Sequence, residues 1–273
     1  MCGRFVLVDT IEIIQNEFNA SFKGDYEPSY NISVGQQSLV ITDDKPNQLQ
    51  LFQFGLTPFW AKKQMYLFNA RSEGDYNKEN NPKFTGGKGI IIKPAFRKPI
   101  RSKRCLVIAS AFIEGTTKEG LNKPYLVYLT KRPFAFAGIW DTWINPETEE
   151  TINSFAIITT SANELLQKIP HHRMPVILSE SNYRHWLHTG IDLGHITSLL
   201  KQYPAKYMNA YPISEKIKSP QNNAKELLKP TGDKIAPEFE SYVTDTISRS
   251  NYGHKKKKDD PQRPTMGERI NKA

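Results

Sequence analysis

The sequence predicts an α+β fold in which short helices accompany a rolled, largely antiparallel β-sheet. Many short apolar segments are separated by turn residues, a pattern typical of antiparallel sheets. Two segments begin with the capping-box pattern of a helix N-terminus. The composition becomes polar after Pro230, so the ordered domain is expected to end near Lys229 or Pro230.

The spacing of apolar residues predicts the individual elements. Strands are predicted at 5–8, 37–42, 49–54, 105–110, 125–130, 134–140, 155–160 and 207–213. Helices are predicted at 9–19, 161–168, 179–189, 192–202 and 223–229. Asp9 with Glu12 is the capping box of the first helix, and Ser161 with Glu164 that of the second. The segment 26–36 is turn-rich.

Length and composition set the domain organisation. A chain of 273 residues can form one large domain with a tail, or two small domains. We assign residues 1–230 to one domain and residues 231–273 to a polar tail, in which the run 255–260 predicts disorder. The sequence contains neither a signal peptide nor an apolar run that could span a membrane. A soluble cytoplasmic protein is therefore expected, associated with the nucleoid if it is bacterial.

The net charge of +9 lies mainly on the predicted domain. The tail carries nine basic and seven acidic residues, which leaves +7 on residues 1–230. Residues 83–104 hold eight Lys or Arg and no acid, and their glycines and prolines indicate mostly loop. Such a run usually forms a solvated face. The functional alternative is a sequence-independent contact to the phosphates of nucleic acid.

The two cysteines do not form a disulfide framework, and no ligand spacing indicates a metal or a cofactor. Cys105 lies in an apolar run and is predicted to be a buried strand residue. Cys2 is different, because removal of Met1 would leave an α-amine and a thiol on one residue. Such a pair can close a thiazolidine ring on an aldehyde carbon, which an internal cysteine cannot do.

The neighbours of Cys2 extend this hypothesis. Gly3 allows a tight turn or a close approach of the backbone, and Arg4 could hold an anion. The alternative is a short terminus that frays, as the ends of many domains do.

Two stretches between residues 54 and 73 suggest contacts to a nucleotide. Phe59 and Trp60 follow a proline and could be exposed platforms on which bases stack; an aromatic corner of the core is the alternative. Asn69 and Arg71 are two residues apart, so on a strand their side chains project to the same side. An amide and a guanidinium there suit a sugar hydroxyl or a phosphate. A surface pair of Arg71 with Glu73 is the alternative.

An acid and two histidines are candidates for proton transfer. Glu114 follows an apolar stretch, where desolvation would favour its protonated form, although many strands simply end in an exposed Glu. His171, His172 and Arg173 precede an apolar strand. Proton transfer or phosphate contact fits them better than zinc, because no further ligand spacing lies nearby. Structural histidines are the alternative.

Eight motifs occur in order along the predicted domain. They are MCGRF at 1–5, YN-x3-GQ at 30–36, GLTPFW at 55–60, NARSE at 69–73, RCLVIASAFIE at 104–114, AGIWDTW at 137–143, IITTSAN at 157–163 and HHRMPVIL at 171–178. In this combination the chain resembles the SRAP (SOS-response-associated peptidase) family of proteins that shield abasic sites in DNA. It departs from the family pattern at Ile113, where Tyr or Phe is usual, at Gly115, where Trp is usual, and at 33–35, where Ala-Pro-Gly is usual.

The resemblance implies a single α+β domain built on a curved β-barrel-like sheet flanked by helices. It implies binding of single-stranded DNA containing abasic sites, or of single-strand/duplex junctions, by a monomer. The residues that match the family's catalytic positions are Cys2, Asn69, Glu114 and His171, and those that match its DNA-binding positions are Arg4, Asn31, Phe59, Trp60, Arg71, His172 and Arg173.

The resemblance also implies roles for these residues. The N-terminal Cys2 would attack the ring-opened aldehyde of an abasic site and form a stable thiazolidine crosslink. Glu114 would act as the acid and base of ring opening and Schiff-base formation, and His171 would hold the sugar or move protons. Asn69 and Arg71 would position the terminus, the sugar and the phosphate.

Two other functions stay open. In an N-terminal hydrolase, Cys2 would attack an amide with Glu114 or His171 as the base, and the protein would turn over its substrate. A passive single-strand-binding module would bind intact and abasic DNA alike, weaken with salt and tolerate Cys2→Ala.

Overall fold

The computed structural model describes residues 2–237, in which strands predominate over short helices. The strands are β1 (Arg4–Leu7), β2 (Ser29–Ser33), β3 (Gln37–Thr42), β4 (Lys45–Phe54), β5 (Asn69–Arg71), β6 (Arg104–Ala109), β7 (Ala111–Thr116), β8 (Gly120–Leu129), β9 (Phe134–Ile144), β10 (Thr151–Ser161), β11 (Arg173–Pro175), β12 (Ile177–Leu178) and β13 (Met208–Pro212). The α-helices are α1 (Ile11–Phe18), α2 (Pro99–Ser102), α3 (Glu164–Lys168), α4 (Tyr183–Leu187) and α5 (Leu193–Ser198).

Five of the strands close into a barrel. The ring runs β4, β3, β6, β9 and β10, and it closes because β10 pairs with both β9 and β4. Every contact in the ring is antiparallel except the short parallel one between β10 and β4. All residues of β6 are buried, since the strand lies between the barrel interior and α4. The predicted α+β class and rolled, largely antiparallel sheet are confirmed.

A second sheet, in the order β13-β8-β7-β1-β2, is antiparallel throughout. The N-terminal strand β1 lies inside this sheet, between β7 and β2. Phe5 contacts Phe54 and Phe136 in the main core, whereas the next residue, Val6, packs with Ile113 in a smaller core on the other face. The residues of β1 therefore do not fray, because the strand is paired at both edges and covered on both faces.

The predicted capping boxes are wrong in their first residues. The N-cap of α1 is Thr10, because Asp9 is buried and its carboxylate accepts a hydrogen bond of 2.5 Å from Ser110 Oγ. The N-cap of α3 is Asn163, whose side chain accepts a backbone N–H of the first turn. Ser161 still belongs to β10 and cannot start the helix.

The remaining helices are shorter than predicted. The segment 179–189 is a 3₁₀ turn, Glu180–Asn182, followed by α4, and the segment 223–229 contains only the 3₁₀ turn Lys225–Leu228. Helices this short depend on packing rather than on propensity, so the apolar spacing overstates their length. Within residues 2–237, none of the helices has the length and hydropathy needed to cross a membrane.

Several short strands are missing from the sequence-based prediction. β2 lies in the turn-rich segment 26–36, where it pairs with β1. β5 pairs with β10. The apolar strand expected after Arg173 is present as two short pieces, of which β11 pairs with β10 and β12 with β9. Strands of two or three residues have no periodicity of their own, so they exist only because a longer strand accepts them.

The packed structure continues past the boundary predicted near residue 230. Ile235 donates its backbone N–H to Ala210 O at 2.8 Å and packs against the main core. Asn209 and Ala236 exchange two hydrogen bonds, of 2.9 and 3.2 Å. The contacts of the domain therefore reach Ala236. The predicted disorder of 255–260 lies outside the described residues.

Candidate active site

A cleft of about 560 Å³ is formed by parts of both sheets beside the start of β1. Its lining residues are Gly3, Arg4, Ser33, Val34, Arg71, Asn80, Ile113, Glu114, Gly115, Thr116, Thr117, Gly120, Leu121, His171, His172, Arg173 and Pro220. Six of the sequence-predicted site residues are among them, although they come from widely separated parts of the chain. The fold thus brings the start of β1, the strands β5 and β7 and the segment 171–173 to one place.

Cys2 lies immediately before the lining residue Gly3 and is buried. Its carbonyl oxygen accepts a hydrogen bond of 3.0 Å from Asn69 Nδ2, and its Sγ lies 3.9 Å from the carbonyl oxygen of Arg4. Burial raises the pKa of the Cys2 thiol well above its ordinary value, and the negative charge of Glu114 raises it further. The thiol is therefore protonated at neutral pH and needs a base to become a nucleophile.

Asn69 and Arg71 lie on the same side of β5, with the buried Ala70 between them, because side chains two residues apart on a strand point to the same face. The strand itself is held by its parallel pairing with β10. Arg71 Nη2 donates to Asn80 Oδ1 at 3.1 Å and to the carbonyl oxygen of Asn77. Its Nε is buried and has no hydrogen-bond partner among residues 2–237. One guanidinium edge thus holds the neighbouring loop, while another donor is left for a ligand.

Glu114 lies within β7, between Ile113 and Gly115, and its side chain faces the cleft. Only 2% of its surface is exposed, so the alternative of an exposed Glu at a strand end is wrong. Its Oε2 lies 3.4 Å from His171 Nε2. The carboxyl group therefore acts on the imidazole directly and on the Cys2 thiol through its charge.

The hydrogen bonds of His171 define its tautomer. Nδ1 lies 2.7 Å from the carbonyl oxygen of Arg173, an atom that can only accept, so Nδ1 carries the proton. Burial lowers the pKa of His171, although the charge of Glu114 opposes this shift. The neutral ring then directs the lone pair of Nε2 towards Glu114, and the two side chains can share one proton.

Arg173 is buried in the cleft wall and paired with Glu73. Its Nη2 lies 2.9 Å from Glu73 Oε2, and Glu73 Oε1 accepts a hydrogen bond of 2.9 Å from Thr160 Oγ1. Burial alone would raise the pKa of Glu73, but the hydrogen bond and charge of Arg173 lower it overall. The predicted alternative of a surface pair between Arg71 and Glu73 is wrong, because Glu73 is buried against Arg173.

The cleft holds further unused donors. Arg4 Nη2 donates to the carbonyl oxygen of Lys218 at 2.8 Å, whereas its Nη1 is buried without a partner in the described part of the chain. Arg173 Nε and Nη1 are also buried and have no hydrogen-bond partner in that part of the chain. His172 is exposed and lines the same cleft. Guanidinium groups with free N–H donors in one cleft form a site for an anion.

Phe59 and Trp60 lie on a different surface. They are 52% and 50% exposed, so the alternative of an aromatic corner in the core is wrong, and neither lines the cleft. The backbone N–H of Phe59 donates to Asp141 Oδ2 at 2.9 Å, and Lys98 Nζ lies 4.5 Å from the centre of its ring. The backbone of Phe59 is thus fixed and a cation lies over one face of its ring, while both aromatic side chains stay half exposed.

Asn31 is buried behind the cleft rather than exposed in it. Its amide nitrogen donates to the carbonyl oxygens of Ile217, Ser219 and Asn222, at 3.1, 2.9 and 2.8 Å. These bonds hold the segment that carries Pro220 to the cleft wall. Asn31 thus shapes the site through this loop, and its amide nitrogen does not point to a ligand.

The basic run 83–104 is only partly a solvated face. Arg104 is buried and donates to the carbonyl oxygen of Trp186 at 2.6 Å, so its guanidinium stabilises the fold. Lys93 is paired with Asp75. Cys105, as predicted, is a buried strand residue. Residues 2–237 contain no group of three or more His, Cys, Asp or Glu side chains that could hold a metal ion.

Sequence reasoning missed the part of the cleft wall built by the β7–β8 hairpin and by Asn80. Thr116 and Thr117 line the cleft only because the hairpin folds back over it. No sequence signal marks these residues. Glu73 was included in the NARSE motif, which could have suggested its importance, but its partner Arg173 is 100 residues away.

Comparison with known proteins gives a consistent result. The family model described as SOS response associated peptidase (SRAP) matches residues 1–220. The chain is 37% identical over 238 residues to abasic site processing protein YoqW of Bacillus subtilis, which covers 84% of this chain and 99% of that protein. It is 26% identical over 245 residues to abasic site processing protein HMCES of Gallus gallus, covering 76% of this chain and 68% of that protein.

Solved structures show the same fold. A crystal structure of a protein from Bacteroides thetaiotaomicron matches with a TM-score of 0.71 and 27% identity, covering 84% of this chain and 100% of that one. A protein from Bordetella bronchiseptica, 19% identical, matches with a TM-score of 0.62 over 78% of this chain and 100% of that one. The second likeness concerns the fold alone.

Proposed function

Because the chain belongs to the SOS response associated peptidase (SRAP) family, we propose that it processes abasic sites in single-stranded DNA by trapping them on Cys2. Relatives from Bacillus subtilis and Gallus gallus are named abasic site processing proteins. The trap is a thiazolidine, formed once Met1 has been removed and the amine of Cys2 is free. The crosslink shields the lesion.

One observation carries the proposal. Cys2 is buried beside a cleft in which the Glu114–His171 pair lies together with three arginines. An abasic site offers an aldehyde flanked by two phosphates. The amine and thiol match the aldehyde, the acid–base pair matches its proton transfers, and the arginines match the phosphates.

The chemistry is balanced without a cofactor. The amine of Cys2 attacks C1′ of the ring-opened sugar, and a proton from the Glu114–His171 pair lets the oxygen leave as water. The thiol then adds to the imine carbon, and its proton passes to the ring nitrogen. Because the pKa of the thiol is raised, Glu114 serves as the base for this second step.

Asn69 serves in this proposal as a positioning residue. Its hydrogen bond to the Cys2 carbonyl fixes the direction of the terminal residue. Arg4, Arg71, Arg173 and His172 contact phosphates on either side of the lesion, and Asn31 supports the loop over the cleft. All these groups belong to one chain, which is consistent with action as a monomer.

Phe59 and Trp60 extend the proposed DNA contact beyond the cleft. Their exposed rings stack on unpaired bases, each contributing about 1–3 kcal/mol in sites of this kind. Stacking needs bases that are free of partners, which favours single strands and single-strand/duplex junctions over intact duplex.

Intact-protein mass spectrometry tests the proposal. Protein lacking Met1 is incubated with a single-stranded oligonucleotide that contains one abasic site, and the same oligonucleotide without the lesion is the control. The expected species has the summed mass of protein and DNA minus one water, survives heat on a denaturing gel and is missing for Cys2→Ala.

The same samples separate the alternatives. A correctly processed protein that gives no adduct with abasic DNA contradicts the proposal. Cleavage of an amide bond in peptides, with release of a carboxylate and an amine, would then favour the hydrolase that the family name suggests. Equal, reversible binding of intact and abasic DNA by wild type and Cys2→Ala would favour a passive binding module.

A further inference from the structure

The cleft contains more anion-binding capacity than the protein itself uses. Arg4 Nη1, Arg71 Nε and Arg173 Nε and Nη1 are buried, and none has a hydrogen-bond partner within residues 2–237. Leaving a buried donor unpaired is costly, so such groups are rare unless a ligand satisfies them. All three arginines line the same cleft.

These donors are fixed before any ligand arrives. Arg4 is held by the carbonyl oxygen of Lys218, Arg71 by Asn80 and Arg173 by Glu73, each through Nη2. The bonds leave the other edges of the guanidinium groups unused. A phosphate therefore meets donors that need little reordering, which lowers the entropic cost of binding.

The lining of the cleft offers no large aromatic ring on which a nucleobase could stack. None of its seventeen lining residues is Phe, Tyr or Trp. Its neutral wall consists of small or aliphatic residues, among them Thr116, Thr117 and Leu121. The exposed pair Phe59 and Trp60 lies outside it. The chemistry in the cleft thus concerns an aldehyde and a phosphate, with base recognition placed elsewhere.

We infer that the cleft also captures free, small phosphorylated aldehydes in the absence of DNA. The inference rests on the proposed function, because it uses the same terminal amine and thiol. The amine of Cys2 attacks the aldehyde carbon and water leaves. The thiol then adds to the imine carbon, its proton passing to nitrogen, so the product is protein plus ligand minus one water. The arginines bind the phosphate of the ligand.

This activity has a consequence for the DNA reaction. A phosphorylated aldehyde bound on Cys2 consumes the amine and thiol that abasic DNA requires. Small sugar phosphates with an accessible aldehyde are therefore competitors of the lesion as well as ligands, and they occupy the cleft in proportion to their concentration.

The test compares glyceraldehyde 3-phosphate with glyceraldehyde. Protein lacking Met1 is incubated with each compound at equal concentration, and adducts are followed by intact-protein mass spectrometry. We expect the phosphorylated compound to add about tenfold faster or more, as charge-assisted hydrogen bonds to one phosphate allow. A synthetic peptide with the sequence Cys-Gly-Arg-Phe reports the preference of an unfolded terminus, which should be much smaller.

Two variants and one competitor assign the preference to the arginines. Arg4→Gln and Arg71→Gln should each reduce the preference for the phosphorylated compound to a few-fold. Arg184→Gln removes the same charge from an exposed position on α4, outside the cleft, and should leave the preference unchanged. Inorganic phosphate should slow the reaction of glyceraldehyde 3-phosphate and have little effect on glyceraldehyde.

A parallel sample with abasic DNA separates the two proposals. If abasic DNA forms its adduct while the two small aldehydes react at equal rates, the inference is overturned and the proposed function stands. If neither abasic DNA nor the small aldehydes modify Cys2, both are overturned. A preference that survives in both arginine variants and resists inorganic phosphate also contradicts the inference, because the cleft would then not be its source.

Discussion

The position of single protons decides how the residues of this site work. The carbonyl oxygen of Arg173 fixes the proton of His171 on Nδ1, so Nε2 is left to exchange a proton with Glu114. The pKa of the Cys2 thiol is raised by burial and by Glu114. The charge of the carboxyl group thus adds to the effect of burial in keeping the thiol protonated, and in the proposed mechanism the same group is the base that deprotonates it.

Replacing Glu114 separates catalysis from binding. In Glu114→Gln the side chain keeps its shape but cannot donate and accept a proton in turn, so crosslinking to abasic DNA should slow by about a hundredfold or more. The affinity for undamaged single-stranded DNA should change little. Single-turnover gels give the rate and fluorescence anisotropy gives the affinity. Equal losses of both would contradict an acid–base role.

The stability of the protein should depend on pH through His171. Burial lowers the pKa of His171 in the folded state. Between that lowered value and the ordinary value near 6.5, the unfolded chain binds more protons than the folded one, so stability falls as the pH falls through this window.

His171→Gln removes this contribution. Urea unfolding at pH 7.5 and 5.5 should show a larger loss of stability on acidification for wild type than for His171→Gln. Because each protein is compared with itself, any general destabilisation by the substitution cancels. An identical loss in both proteins would mean that the imidazole does not titrate differently in the two states.

At the residue scale, the candidate reactive residues could be predicted from the sequence, whereas their long-range side-chain contacts could not. The proposed reactivity of Cys2 with aldehydes was inferred from the amine and thiol that removal of Met1 would leave on one residue, and the resemblance points to Glu114 and His171 as its acid–base partners. The partner of Glu73 could not be predicted, because Arg173 reaches it only after β5 and β11 have both paired with β10. Long-range pairs of this kind are products of topology.

The hairpin between β7 and β8 forms part of the cleft wall. A Cβ atom at Gly115 would lie 1.9 Å from the carbonyl oxygen of Gly120, so the two strands can approach only because residue 115 lacks a side chain. Gly120 has a positive φ of 55° but open space around it. The two glycines are therefore required for different reasons.

Alanine at the two glycines should have unequal effects. Gly115→Ala forces the strands of the hairpin apart and should cost about 3 kcal/mol of unfolding free energy. Gly120→Ala only places a side chain at positive φ and should cost about 1 kcal/mol. Chemical denaturation of both variants gives the comparison. Equal costs would argue that the hairpin adjusts without strain.

At the element scale, long strands are predictable and short ones are not. β6, β9 and β10 are marked by apolar runs, since both faces of the barrel wall are covered. β5 is too short to predict from periodicity, yet it carries two of the proposed site residues. Capping was misplaced by one or two residues, because the buried Asp9 and the strand residue Ser161 have roles in the sheets instead.

At the scale of the whole molecule, the last residues that the structure describes still pack against the domain. Ile235 and Ala236 pack along β13, beyond the boundary expected from composition. A change in composition shows where apolar residues become rare. It does not show that a single Ile can still attach several polar residues to the core.

Two truncations test this boundary. A chain that ends at residue 230 loses the packing of Ile235 and the hydrogen bonds to Ala210 and Asn209, and should be about 2–4 kcal/mol less stable than a chain that ends at residue 237. Urea denaturation of the two chains makes the comparison. Equal stabilities would place the boundary of the domain near residue 230.

The place of β1 in the second sheet also limits the time during synthesis in which Met1 can be removed. Phe5 pairs with Phe112, so the first strand cannot be covered until more than a hundred further residues have been made. At about 5–20 residues per second, the N-terminus is accessible for roughly 5–20 s. We expect Met1 to be removed in this interval, because Cys2 is buried once the sheet forms. Chains translated faster than the aminopeptidase acts would fold with a blocked amine. The reactive fraction of a preparation then depends on the rate at which the protein was expressed.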